Sequence, residues 1–268
     1  MAKPRILVLT GYGINCDYET EFGFNLAGGV AERVHINSLI MAETRLKDYQ
    51  ILAFPGGFSF GDDVASGKVL ASKTRVRLGE EIREFIAKGG LIIGICNGFQ
   101  VLAKFGILSD QPAEKYQQRI TVTYNDSGRF EDRWVWLKRL SKKCVWLDGI
   151  PGLYLPVAHG EGKFFAEQKV AKAIEDNDQV AFIYARADLT PAQGEYPLNP
   201  NGSLFDIAGI SDPSGRILGM MPHPERFLSF YNHPRWTWLK EDLKRKGLPI
   251  SEPGQGLKIL QNGVNYFK

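Results

Sequence analysis

Cys96 stands in Gly94-Ile95-Cys96-Asn97-Gly98, after the apolar run Leu91-Ile92-Ile93 and before Phe99, Leu102 and Phe105 at helical spacing. A glycine-flanked cysteine between a strand and a helix has the form of a nucleophile elbow, G-x-S-x-G with sulfur replacing oxygen. The glycines admit a strained turn, and the helix N-terminus beside the sulfur favours a thiolate. Most free cysteines are inert packing, so the chemistry depends on partners elsewhere. A thiol nucleophile wants an imidazole to take its proton, and the imidazole wants a carboxylate to orient it.

Four histidines are available: His35, His159, His223 and His233. His223 follows the apolar run Ile217 to Met221, and Pro224 biases it towards extended backbone. In an extended segment residues i and i+2 face one side, so Glu225 can accept from the second ring nitrogen. The plainer alternative is a satisfied structural histidine beside a surface charge. An acyl transfer also needs an oxyanion hole of backbone N–H groups. Asn97 directly follows the nucleophile. Gly56-Gly57 can supply a second donor, because glycine lets a substrate approach the backbone; alone, that pair is equally a tight turn.

Positioning these groups requires strands that end beside one another. Ile6–Leu9, Val34–Asn37, Ile51–Phe54 and Leu91–Ile95 read as short buried strands. Helix patterns run from Tyr18 to Leu26, closed by Gly28-Gly29, and from Glu80 to Lys88, with Ile82, Phe85 and Ile86 on one face. Gly106 is placed to end the helix after Cys96. The alternation predicts an α/β fold: an open, mainly parallel mixed sheet with helices on both faces, flavodoxin-like. Sites in such sheets form at the carboxyl ends of strands, where Gly11–Cys16, Pro55–Asp63 and the Cys96 turn converge.

Further on, Arg119–Thr123 and Arg133–Leu137 alternate like strands about Asn125-Asp126-Ser127-Gly128, a turn or hairpin signal. Val180–Tyr184, Ile207–Ile210 and Ile217–Met221 add strands, with turns at Asn199–Gly202 and Ser211–Gly215. No linker or repeat divides the chain, so one domain over residues 1–268 is expected, with about 235–268 as an appended helical or looping segment.

The 268 residues carry a net charge of +3, 44% hydrophobic and 24% charged residues. That charge is too small to argue for nucleic acid, and Lys240–Lys246 also holds Glu241 and Asp242, as a solvated helix face does. No apolar run is long enough to span a bilayer, and the chain opens on a strand rather than a signal peptide. Cys16, Cys96 and Cys144 are odd in number and far apart, which argues against a disulfide framework and for a reducing, cytoplasmic setting. Cys144 reads as structural; so does Cys16, although it follows the first strand and could approach the crevice. No metal-ligand spacing appears. Gly11-Tyr12-Gly13 fails the dinucleotide pattern, because Cys16 stands where the third glycine belongs.

Pro55-Gly56-Gly57, the Cys96 elbow and Pro222-His223-Pro224-Glu225 occur in the order and rough spacing of the class I (triad) glutamine amidotransferases, which this chain resembles over about residues 5–230. Cys96-Asn97-Gly98-Phe99-Gln100, Ala158-His159-Gly160-Glu161-Gly162 and Asn199-Pro200-Asn201-Gly202-Ser203 are similar to the branch whose glutaminase subunits serve purine biosynthesis. Two features depart from that pattern: Thr10-Gly11-Tyr12-Gly13, where a proline-glycine turn is expected, and a longer tail from Trp236.

The resemblance implies that Cys96 forms a γ-glutamyl thioester, His223 acts as base and then acid, and Glu225 orients His223. It implies that Gly57 and Asn97 hold the oxyanion, with Gly56, Gln100, His159, Gly160 and Glu161 as substrate-binding residues. It also implies no cofactor in this chain. ATP and Mg would be used by a synthetase subunit that receives the ammonia, with a small bridging subunit between them. A cysteine hydrolase on a similar sheet and a non-catalytic scaffold are the competing readings.

Overall fold

The computed structural model describes residues 2–109, 116–250 and 252–268. Its strands are β1 (Arg5–Thr10), β2 (Val30–His35), β3 (Ile51–Phe54), β4 (Leu91–Ile95), β5 (Ile120–Thr123), β6 (Glu131–Arg139), β7 (Gly152–His159), β8 (Lys163–Ala166), β9 (Val180–Ala185), β10 (Ile207–Ser211) and β11 (Ile217–Met220). Its α-helices are α1 (Asp17–Leu26), α2 (Ile36–Ile40), α3 (Lys68–Ala87), α4 (Asn97–Phe105), α5 (Gln168–Asp176), α6 (Trp236–Arg245) and α7 (Leu257–Asn265).

Nine strands form one open sheet in the order β2-β1-β3-β4-β11-β10-β9-β6-β7, and β5 pairs with β8 apart from it. From β2 to β11 every pairing is parallel; from β11 to β7 every pairing is antiparallel. All residues of β3 and β4 are buried, the continuous apolar character that parallel strands covered by helices require. Helix α4 packs on β3, β4 and β11, and α1 on β1 and β2. The carboxyl ends of β1, β3, β4 and β11 therefore lie together. There the loop after β1 is tied to the loop after β3: the Asn15 and Cys16 amides donate to Gly56 O at 3.3 and 3.2 Å, and the Phe58 amide to Gly13 O at 2.8 Å.

Several boundaries differ from the sequence expectation. The second strand spans Val30–His35, and Ile36 and Asn37 open α2. His35 Nδ1 accepts from the Asn37 amide at 3.1 Å and so caps that helix. The Glu80–Lys88 helix is the last part of α3, which begins at Lys68; Leu70, Ala71, Thr74 and Leu78 continue its buried stripe, but Thr74 and Gly79 weaken the apolar signal. Asn125–Gly128 is a turn, with the Gly128 amide bonded to Asn125 O at 2.9 Å. It is not the turn of a hairpin, since β5 pairs with β8 and β6 with β7 and β9. Strands β7 and β8 and helix α5 carried no sequence expectation.

The tail divides in two. Helix α6 has no buried residue. Helix α7 buries Leu257, Ile259, Leu260 and Val264 in the common core, each worth about 1.5–3 kcal/mol. Asn262 Nδ2 fastens it to Trp146 O and Asp148 O at 2.9 and 2.8 Å. Only α6 answers to an appended segment.

Candidate active site

Cys96 sits between β4 and α4 with φ 52° and ψ −107°, a conformation that costs a non-glycine residue about 1–3 kcal/mol. Its amide donates to Met220 O on β11 at 2.8 Å, which pins the elbow to the neighbouring strand. The turn is possible because α4 meets β3 without a side chain between them: a Cβ on Gly98 would stand 1.9 Å from Phe54 O. The thiol is buried and points at Ala158 O, 3.7 Å away.

His223 follows β11 in extended backbone, φ −101° and ψ 94°, as its proline neighbour dictates. Glu225 does not reach it along a strand. Pro224–Arg226 is a single 3-10 turn, and that turn swings the carboxylate back so that His223 Nδ1 and Glu225 Oε1 lie 2.5 Å apart. Both side chains are almost wholly buried. Burial, the strongest single influence, disfavours the imidazolium, but the charge of Glu225, then that of Cys96, and then the nearby sulfurs of Cys16 and Cys96 together outweigh it and hold the pKa of His223 well above its usual value. His223 Nε2 and Glu225 Oε2 have no hydrogen-bond partner among the described residues. The free Nε2 is the atom a general base needs.

Gly56 borders this pair, and Gly57 packs against the loop after β1. A Cβ on Gly56 would meet His223 Cε1 at 2.8 Å, so only glycine leaves room for the ring. Gly57 has φ +149°, and a Cβ there would lie 2.6 Å from Gly13 O. In its bridge to Ile14 the bonds run through the residues on either side, which leaves the Gly57 amide without a backbone acceptor among the described residues. The Asn97 amide, first in α4, has no acceptor within the helix. Both flank a pocket of about 280 Å³ that contains Gly57, Cys96, His159 and Gly160, with Tyr124 and Phe130 exposed beside it.

The expected substrate-binding side chains are occupied by the protein itself. Gln100 Nε2 donates to Glu161 O at 2.5 Å, and Gln100 Oε1 accepts from Asn97 Nδ2 at 2.8 Å. The Glu161 carboxylate accepts from the Ser66 amide and lies 4.0 Å from Lys104 Nζ. Lys104, buried within α4, donates to Ser66 O and Val122 O at 2.5 and 3.1 Å, and burial lowers its pKa. His159 Nδ1 lies 3.1 Å from Asn125 Oδ1 and its Nε2 3.5 Å from Asn201 Nδ2. Burial first, and the charge of His223 second, push its pKa down to about 3. Gln100, His159 and Glu161 line the pocket wall, Lys104 lies behind it, and Gly160 offers it backbone.

Sequence reasoning missed Asn125, Lys104 and Asp62, which braces the wall by accepting from Gly67 N and Asn97 Nδ2 at 3.0 and 3.2 Å. Two signals pointed near them, the Asn-Asp-Ser-Gly turn at Asn125 and the Pro55–Asp63 loop that carries Asp62. Of the two cysteines read as structural, Cys144 is so, wholly buried with its thiol pushed up to about 12. Cys16 is not remote: its sulfur, a ring nitrogen of His223 and a carboxylate oxygen of Glu225 all lie within 4.8 Å of one another. No helix among the described residues is long and apolar enough to cross a membrane.

Residues 3–267 match the family described as the CobB/CobQ-like glutamine amidotransferase domain. A phosphoribosylformylglycinamidine synthase subunit PurQ from Dehalococcoides mccartyi is 48% identical over 269 residues, covering 100% of this chain and 99% of the relative. Its counterpart from Methanococcus maripaludis is 45% identical over 266 residues, covering 98% and 97%. Among solved structures, one described as the structure of PurLQS from Thermotoga maritima superimposes with a TM-score of 0.72 at 27% identity, over the full length of both chains.

Proposed function

Given that this chain belongs to the CobB/CobQ-like glutamine amidotransferase family, we propose that Cys96, His223 and Glu225 form its glutaminase centre, with the Gly57 and Asn97 amides as oxyanion hole. The chain is the glutaminase subunit of phosphoribosylformylglycinamidine synthase, acting in purine biosynthesis within a complex that also holds a synthetase subunit and a small third subunit. The observation that carries the residue assignment is the strained Cys96 elbow beside a buried His223–Glu225 pair whose Nε2 is free.

His223 Nε2 takes the proton of Cys96 as the sulfur attacks the side-chain amide carbon of glutamine. The oxyanion forms toward two N–H groups already fixed by β3 and α4, so little reorganisation is needed. The imidazolium, held by Glu225, returns its proton to the amide nitrogen, the C–N bond breaks, and ammonia leaves. Water then adds to the γ-glutamyl thioester with His223 as base, and glutamate departs. The pocket wall of Gln100, His159, Gly160 and Glu161 shapes the glutamine site, with Gly56 allowing close approach. ATP and Mg act in the synthetase subunit, where the ammonia converts formylglycinamide ribonucleotide to the amidine. One domain spanning the chain and a cytoplasmic setting belong to the same reading.

The assignment is tested by acid-quenching the assembled complex during glutamine turnover and mapping adducts by peptide mass spectrometry. A glutamyl group on the Cys96 peptide is expected. An adduct on Cys16 instead, or none at saturating glutamine, contradicts it.

A further inference from the structure

Cys16 occupies the N-cap of α1, a position where Ser, Thr, Asp or Asn ordinarily bond the first turn, yet its side chain caps nothing. Its sulfur turns into the site, where Arg226 Nη2 donates to it at 3.2 Å. It is almost wholly buried, and a point only 3.2 Å from it, the Cβ direction of Gly56, is 2.8 Å from His223 Cε1. The backbone holds it there: the Cys16 amide donates to Gly56 O, and Cys16 O accepts from the Thr20 hydroxyl at 2.6 Å. The neighbouring imidazole presents a buried Nε2 with no hydrogen-bond partner among the described residues.

We propose that Cys16 is a second thiol of the active site, a positioning residue that sets its sulfur against His223 and is itself fixed by Arg226. The proposal rests on the assignment of Cys96 and His223 made above. A buried sulfur that accepts from a guanidinium is polarised, and a negative partial charge beside an imidazole favours its protonated form. The titratable and charged groups around His223 are Cys96 at the start of α4, Cys16 from the loop after β1, Glu225 and Arg226 on its own turn, and His159 at the end of β7. Cys16 acts in the same direction as Glu225 and Cys96, raising the pKa of the ring. Through the ring it acts on the nucleophile: an imidazolium that is easier to form makes the Cys96 thiolate easier to form.

The test is the rate of Cys96 alkylation by iodoacetamide across pH, read on the Cys96 peptide of the full chain by mass spectrometry, for the wild type, Cys16→Ser and Cys16→Ala. Thermal midpoints are measured alongside to show that the variants fold. Losing the sulfur weakens the imidazolium, so the midpoint of Cys96 reactivity should rise by about one pH unit in Cys16→Ala. A hydroxyl keeps a polar partner for Arg226, so Cys16→Ser should move less. Profiles of both variants that superimpose on the wild type would overturn the proposal, as would equal displacements in both, which packing alone would produce. A wild-type Cys96 no more reactive than a free cysteine would remove the triad itself, and the role of Cys16 with it.

Discussion

His223 and His159 are two buried imidazoles at the carboxyl ends of strands on opposite halves of one sheet, His223 just beyond β11 at the edge of the parallel half and His159 the last residue of β7 in the antiparallel half. Both are buried to within 2% of complete, so desolvation acts against a charge on each. His223 faces a carboxylate 2.5 Å away and is held well above its ordinary pKa. His159 faces the amides of Asn125 and Asn201 and is pushed down to about 3. What separates the two rings is the charge of one partner, and on the proposed mechanism that charge makes His223 the base and leaves His159 a strut. The two rings also differ in their open positions: among the described residues His223 Nε2 has no partner, while both nitrogens of His159 face side-chain amides.

The largest expected effect breaks the comparison at its centre. Glu225→Gln keeps the shape of the partner and removes its charge, so kcat/KM for glutamate release should fall by about 10³–10⁴. A loss under tenfold in steady-state assays would mean that the carboxylate does not set the state of His223. Next, Gly56→Ala places a methyl 2.8 Å from His223 Cε1 and should cost about 10²-fold in kcat by displacing the ring. An unchanged kcat would show that the ring has room to move.

His159→Gln should cost roughly tenfold or less in turnover, as expected for a group that shapes the pocket without transferring a proton. It should also destabilise the chain at pH 7 by about 1–3 kcal/mol, because Asn125 and Asn201 lose a buried partner. The pH dependence carries a definite sign. With a folded pKa near 3, His159 stays neutral in the native state while the unfolded chain takes a proton below about 6.5. Stability is therefore lost as pH falls from about 6.5 towards 3, and the wild type should lose about 2–3 kcal/mol relative to His159→Gln between pH 7 and 4, enough to cancel or reverse the disadvantage of the variant. Denaturant titrations at the two pH values measure it; a constant difference would contradict the neutral, buried ring. His223 contributes oppositely: its raised pKa stabilises the fold below its unfolded value, and that contribution is lost as pH climbs through the folded one.

The smallest effect converts one histidine towards the other. Asn125→Asp sets a carboxylate against His159 Nδ1 and should raise its pKa by at least about one unit, followed by NMR titration. No upward movement would show that burial alone governs that ring.

The grouping behind the proposed chemistry was legible in the sequence where one residue type at one spacing has few uses: the glycine-flanked Cys96, which the structure places at a strand-to-helix turn, and Pro-bounded His223 with Glu225 two residues on, which it pairs. The buried strands β1, β3 and β4 were legible for a similar reason, since a parallel strand covered on both faces must be apolar throughout. Other features depend on contacts distant in sequence. Nothing local says that β5 pairs with β8 some forty residues later. The 3-10 turn that carries Glu225 was hidden because an extended segment places the same two side chains on one side. Gln100 and Glu161 lie in the segments that resemble the family, but only the fold shows the Gln100 amide bonded to Glu161 O and the Glu161 carboxylate to the Ser66 amide. For Cys16 the sequence shows a structural cysteine after the first strand that could approach the crevice, and not its contacts, because Arg226 and His223 lie more than two hundred residues away.

The central claim is that Cys96 splits glutamine for a synthesis carried out elsewhere in the complex. It is tested most directly by measuring amidine formation in the assembled complex with glutamine or with ammonium as nitrogen donor, for wild type and Cys96→Ala. The account predicts that Cys96→Ala loses the glutamine-dependent rate and keeps the ammonium-dependent one. Glutamine-dependent synthesis that survives the substitution would contradict it, as would loss of both rates in a complex that still assembles.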